Sequence, residues 1–124
     1  MKKRILVVDD EAGILKILRI QLKANGYEVI TTQSSQGAVA LARSERPDVV
    51  LLDVFMPVIN GLDVLKQLRA FSKVPVIVFS ASPQMVEEAM KIGANGFIPK
   101  PFHPELIGEK IEAVLGGDGK SNWS

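Results

Sequence analysis

Three carboxylates stand where carboxylates are costly. Asp53 ends the apolar run Val49-Val50-Leu51-Leu52, and Asp9-Asp10 ends an equally apolar run, Ile5-Leu6-Val7-Val8. An acidic group at the mouth of a buried strand loses hydration that something must replace, so two strands ending this way point to a site for a cation. Brought together, each pair of carboxylates would repel by up to about 4 kcal/mol at an effective dielectric near 20 and a separation of 4 Å. A divalent ion relieves that repulsion. The donors are oxygens, and the chain has one histidine and no cysteine, so the hard ion Mg²⁺ is favoured, Mn²⁺ is the alternative and zinc is disfavoured. Two more polar groups stand at strand ends, Ser80 after Val76-Ile77-Val78-Phe79 and Lys100 after Phe97-Ile98-Pro99. Each has a plainer reading when taken alone. Asp9-Asp10 would be an acidic pair at a helix N-terminus, Asp53 with Lys100 a structural ion pair, Ser80 a turn residue and Phe97 a core residue. Convergence at one sheet edge favours the functional reading over these.

The elements that must position these groups are legible as alternation. Apolar runs recur at Ile5 to Val8, Tyr27 to Thr31, Val49 to Leu52, Val76 to Phe79 and Phe97 to Pro99. Three of them are continuously apolar and rich in Val and Ile, the pattern of strands buried on both faces of a parallel sheet. Between them the apolar period is helical. Ile14, Leu15, Leu18 and Leu22 share one face of a helix ended by Asn25-Gly26, and Ala38, Val39, Leu41 and Ala42 mark a second before Pro47. A third begins near Asn60-Gly61 with Leu62, Leu65 and Leu68. The fourth has Ser82 as N-cap and Pro83 in its first turn, and the fifth starts at His103-Pro104 and carries Leu106, Ile107, Ile111, Val114 and Leu115. Five strands alternating with five helices through right-handed crossovers give an α/β fold, an open parallel sheet covered on both faces.

At 124 residues with 47% hydrophobic residues the chain suits one soluble domain, expected over 1–118, with a flexible tail at 119–124 that includes Trp123. Lys plus Arg number 15 against 14 Asp plus Glu, a net charge that gathers neither nucleic acid nor an anionic membrane. The start, Lys2-Lys3-Arg4, is expected to be a solvated terminus. The apolar stretch after it is too short for a signal peptide and nothing approaches a membrane span, so the expected location is the cytoplasm. Met56, Met85 and Met90 are expected to pack, with Met85 and Met90 also available as an adaptable contact surface.

Four elements, in order, resemble the receiver domain of response regulators in two-component signalling: Val8-Asp9-Asp10-Glu11, Leu51 to Pro57 with Gly61 beyond, Val78-Phe79-Ser80-Ala81, and Gly93 to Phe102 around Lys100. The resemblance covers residues 3 to about 115. It implies a doubly wound, flavodoxin-like sheet with strand order 2-1-3-4-5. Mg²⁺ is then held directly by Asp10 and Asp53, through water by Asp9, and by the backbone carbonyl of Phe55. Asp53 is implied as the phosphoacceptor, Lys100 and Ser80 as the groups that receive the phosphoryl charge, and Ser80 with Phe97 as the switch. The Lys100–Pro101 bond is expected to be cis. A histidine kinase or histidine phosphotransfer protein is the implied donor. A downstream effector or a second copy would bind residues 83–115. Such a chain catalyses its own phosphorylation and dephosphorylation and is not a turnover enzyme. The alternative is a pseudo-receiver that binds proteins without phosphorylation.

Two other classes fit less well. A haloacid-dehalogenase-type phosphatase would want a second aspartate two residues after Asp53, where Phe55 stands. A flavodoxin-like cofactor carrier would want a phosphate cradle of Gly, Ser or Thr where this chain has Asp9-Asp10-Glu11. Asn95-Gly96 and Pro99 depart from the family pattern without touching the chemistry. Phe55, and Ser82 in place of a group that orients water, imply slow loss of the phosphoryl group.

Overall fold

The computed structural model describes residues 2–54 and 61–116, apart from the side chain of Pro104. Ten elements alternate: β1 (Arg4–Val8), α1 (Ala12–Ala24), β2 (Glu28–Thr32), α2 (Ser35–Glu45), β3 (Val49–Asp53), α3 (Gly61–Arg69), β4 (Val76–Ser80), α4 (Pro83–Ile92), β5 (Gly96–Pro99) and α5 (Pro104–Leu115). The strands pair in parallel in the order β2-β1-β3-β4-β5, the doubly wound, flavodoxin-like topology expected. Register pairs Val8 with Leu52 and Asp53 with Phe79, which brings the strand ends, and the residues that follow them, to one edge.

The apolar runs explain the layers. Leu6, Val8, Val50, Leu52, Val76 and Val78 point to the face covered by α2, α3 and α4. Ile5, Val7, Val49, Leu51, Ile77 and Phe79 point to the face covered by α1 and α5. Alternation along each strand thus feeds two cores, which is why β1, β3 and β4 need apolar residues at nearly every position. β2 lies at an edge and only Val29 is buried in it, so its sequence is more polar and its start falls one residue later than the apolar run suggested.

The helix boundaries have local causes. α1 stops at Asn25, and Gly26 turns the chain at φ 92°, a conformation that glycine adopts without strain. Ser82 caps α4 by accepting from the Met85 N–H at 3.4 Å, and Pro83 opens the helix as expected. Ser34 caps α2 in the same way through Gly37 N–H at 3.0 Å, a cap the sequence reading did not assign. The expected tail at 119–124 lies outside the described residues.

Two expectations need correction. Arg4 is not merely solvated. Its guanidinium pairs with Glu28 at 3.4 Å and Glu45 at 3.3 Å and donates to the Glu45 carbonyl at 2.6 Å, while the Arg4 backbone N–H donates to Asp48 Oδ2 at 2.8 Å. These contacts tie the start of β1 to β2 and to the chain entering β3. Met85 packs on the core as expected, but Met90 is 43% exposed, because it lies on the solvent side of α4. Among the described residues no helix is long and apolar enough to cross a membrane.

Candidate functional site

The carboxyl edge of the sheet gathers the polar residues. Asp9 follows β1, Asp53 is the last residue of β3, Ser80 the last of β4, and Lys100 follows β5. Asp9, Asp10 and Asp53 each offer one carboxylate oxygen, all within 4.8 Å of one another. The Lys100 ammonium lies 3.4 Å from Asp9 Oδ2 and 3.3 Å from Asp53 Oδ2, with both carboxylates buried and the lysine side chain 21% exposed. Residues from three distant stretches of the sequence therefore form one charged cluster.

Backbone bonds fix its members. Asp9 N–H donates to the Thr32 carbonyl at 3.2 Å, and Asp9 Oδ1 accepts from Glu11 N–H at 2.9 Å. Gln33 donates to the Asp10 carbonyl at 3.0 Å. Lys100 N–H reaches the Ser80 carbonyl at 3.1 Å, which aligns the lysine with the end of β4, and the Lys100–Pro101 bond is cis as expected. Behind Asp53, Gly61 N–H donates to the Val54 carbonyl at 3.1 Å, so α3 starts directly against the backbone that carries Asp53.

Burial pushes the Asp9 carboxyl above the usual carboxylate range. The Asp53 charge adds to this, while Glu11 N–H and Lys100 pull the other way. Burial also works against the charge on Lys100, but Asp53 and Asp9 outweigh it and hold its pKa above the ordinary lysine value. The cluster is short of positive charge. Three hard oxygens, two of them on buried residues, with one lysine between them fit an additional hard divalent cation, Mg²⁺ or Mn²⁺.

A stability prediction follows from the sign of the Asp9 shift. A carboxyl whose pKa is raised on folding costs stability as pH rises above its unfolded value of about 4. In chelator at pH 7, Asp9→Asn is expected to raise Tm above wild type. Mg²⁺ should reverse the order, since a hundredfold excess over Kd adds about 2.7 kcal/mol, or about 10 °C, to a domain of this size. Thermal melts of both proteins in chelator and in Mg²⁺ check this, and a wild-type Tm indifferent to Mg²⁺ would remove the cation from the account.

Ser80 is buried at the end of β4. Its Oγ accepts from Ser82 N–H at 2.9 Å and donates to the Ser82 carbonyl at 3.3 Å, so the hydroxyl is held by the residue that caps α4. Phe97, on β5, is 40% exposed. It borders a cavity of about 220 Å³ lined also by Ser80, Ser82, Val86 and Lys100. Phe55, expected to lend its carbonyl, lies outside the described residues.

Sequence reasoning missed a second polar cluster at the opposite, amino end of β4. Arg69 donates to the Gly93 carbonyl at 3.0 Å and to Asn95 Oδ1 at 2.9 Å, and Asn95 Oδ1 also accepts from Val76 N–H at 2.9 Å. Asn95 thus joins the end of α3 to the starts of β4 and β5, and half-burial lowers the Arg69 pKa from its ordinary value. A sequence motif gives no hint of a contact spanning residues 69 to 95.

The comparisons agree with this geometry. The model of the response regulator receiver domain matches residues 5–112. The chain is 36% identical over 118 residues to the alkaline phosphatase synthesis transcriptional regulatory protein PhoP of Bacillus subtilis, covering 93% of this chain and 49% of that protein. It is 38% identical over 117 residues to the DNA-binding response regulator MtrA of Mycobacterium leprae, covering 93% of this chain and 52% of that protein. The structure of the chemotaxis protein CheY4 of Vibrio cholerae superposes with a TM-score of 0.85 at 33% identity, over 93% of this chain and 100% of that one. The chain spans about half the length of the curated relatives it matches. With the family model, the sheet order and the acidic edge in accord, the chain belongs to the family of response regulator receiver domains.

Proposed function

We propose that the chain accepts a phosphoryl group on Asp53 and converts it into a change of binding surface. The observation that carries this is the buried carboxylate of Asp53 at a parallel sheet edge, with two further carboxylates offering oxygens within 4.8 Å and Lys100 at 3.3 Å. The donor is a phosphohistidine of a histidine kinase or phosphotransfer protein. An Asp53 carboxylate oxygen attacks phosphorus, the P–N bond breaks, the imidazole leaves and takes up a proton, and an aspartyl phosphate remains. Asp9, Asp10 and Asp53, with the Phe55 carbonyl as a further donor, would hold Mg²⁺, which when bound supplies charge neutralisation for the approach of one anion to another. Lys100 donates to a phosphoryl oxygen from its place between Asp9 and Asp53. No turnover of a separate substrate is involved.

The phosphoryl group adds about −1.5 to −2 charge and strong acceptors. Ser80 Oγ then turns from Ser82 to a phosphoryl oxygen, Ser82 N–H loses its partner, and the start of α4 is freed to move. Space opens for Phe97 to enter the cavity it now borders. This is a shift between two packings, driven only by the differential affinity of the phosphoryl group for them. Residues 83–115 are the output surface, toward an effector or a second copy. PhoP carries a name of transcriptional regulation, MtrA of DNA binding and CheY4 of chemotaxis, and the output proposed for this chain is of one of those kinds. With a formal charge of +1 on the chain, these residues are proposed to contact protein and not nucleic acid. The proposed location is the cytoplasm.

Fluoroberyllate, which mimics an aspartyl phosphate, tests the reading without a kinase. In the presence of Mg²⁺ it is expected to shift NMR signals at Ser80, in α4 and at Phe97 in wild type. Shifts confined to the acidic edge would leave the site without its switch. Complete indifference would favour a protein-binding module that works without phosphorylation.

A further inference from the structure

We infer that Lys110 is a positioning residue of the switch, holding Phe97 outward through its ammonium and so setting how readily the site accepts an anion. The Lys110 Nζ lies 5.7 Å from the centroid of the Phe97 ring, within the range in which a cation is drawn to the negative face of an aromatic. Phe97 stands on β5 and Lys110 on α5, which packs against that strand. The ring itself is 40% exposed, beside the cavity of about 220 Å³ whose walls include Ser80, Ser82, Pro83, Val86 and Lys100. A large apolar side chain left in solvent next to apolar space of its own loses burial that it would gain by turning inward. On the outward side a cation stands above the ring. This rests on the reading of Ser80 and Phe97 as a two-position switch and names a residue that biases it.

The consequence is a linkage. A contact made in only one of two states shifts their ratio by its own free energy, and ligand affinity for the other state moves with it. An exposed cation–π contact corresponds to about a two- to fivefold change in that ratio. Lys110→Met keeps a good helix former of similar length and removes the charge, so the fold should be retained while the ring is released. Lys110→Arg keeps a cation that stacks on rings at least as well.

The experiment has two arms. In the first, the Phe97 ring resonances, assigned by their loss in Phe97→Leu, are compared with no mimic added. Lys110→Met is expected to displace them, and Lys110→Arg to leave them close to wild type. In the second, fluoroberyllate is titrated with Mg²⁺. Lys110→Met is expected to lower the apparent Kd by about two- to fivefold, with Lys110→Arg near wild type and no gain from Lys110→Met in a Phe97→Leu background. Simple loss of a positive charge near an anion would weaken binding, so the sign separates the two causes. Unchanged ring resonances in Lys110→Met, or a Kd that rises, would overturn the assignment. If wild type takes up no fluoroberyllate, the phosphoacceptor reading fails, and the first arm still decides whether Lys110 positions the ring.

Discussion

Lys100→Met is expected to lower the stability of the metal-free protein by about 3–5 kcal/mol, seen as a fall in Tm of about 10–20 °C. The reason is what the substitution leaves behind. Asp9 is fully buried and Asp53 nearly so, and among the described residues Lys100 is a cation within 3.4 Å of both. Removing one member of a buried charge pair takes that compensation from the other, which costs far more than the pair itself contributes. The same lysine, proposed to meet the transferred phosphoryl group, is worth about 10²–10³ in rate as a positioned donor. Mg²⁺ should recover much of the stability, since it supplies charge to the same oxygens, and little of the rate. Thermal melts and acetyl phosphate time courses measure the two effects separately. A variant as stable as wild type in chelator would show that solvent, not Lys100, compensates the two aspartates.

Gly61→Ala is expected to destabilise by about 3 kcal/mol, the upper end for overpacking, because what a methyl group would meet is backbone. A β-carbon at Gly61 would overlap the Asp53 carbonyl oxygen and come within 2.5 Å of Val54 Cα. Neither can turn away as a side chain can. To make room, the start of α3 or the end of β3 must shift, and the latter carries Asp53. The variant should therefore also bind Mg²⁺ more weakly than its loss of stability explains. Chemical denaturation gives the first quantity and Mg²⁺ titration of the folded variant the second. Wild-type stability in Gly61→Ala would mean that α3 retreats at no cost.

Lys100 and Gly61 were hard to read from the sequence, and the aspartates beside them were not. Asp53 and Asp9 announce themselves, since a carboxylate ending a run of Val and Leu is hard to explain otherwise. The sheet was equally plain in β1, β3 and β4, whose burial on both faces leaves room for polar residues only at their ends. β2 was blurred by its place at the edge, which allows Thr31 and Thr32. Lys100 carries only the local signal of its place after a short apolar run, being otherwise one of many lysines, and gained its role from the resemblance and from a sheet order that brings the end of β5 beside that of β4. Gly61 was visible as a helix start and as one of the residues carrying the resemblance. Its closeness to Asp53 is a tertiary fact. Arg69 with Asn95, and Lys110 with Phe97, join common residue types across different elements, and only packing discloses them.

The central claim is that Asp53 is the phosphoacceptor and that a divalent cation at the acidic edge enables it. The most direct measurement is the intact mass of wild type and Asp53→Asn after incubation with acetyl phosphate, with Mg²⁺ and with chelator. A single phosphoryl adduct on wild type in Mg²⁺ alone, absent from Asp53→Asn, is the expected result. An equal adduct on Asp53→Asn would place the acceptor elsewhere, and no adduct on wild type in Mg²⁺ would contradict the claim.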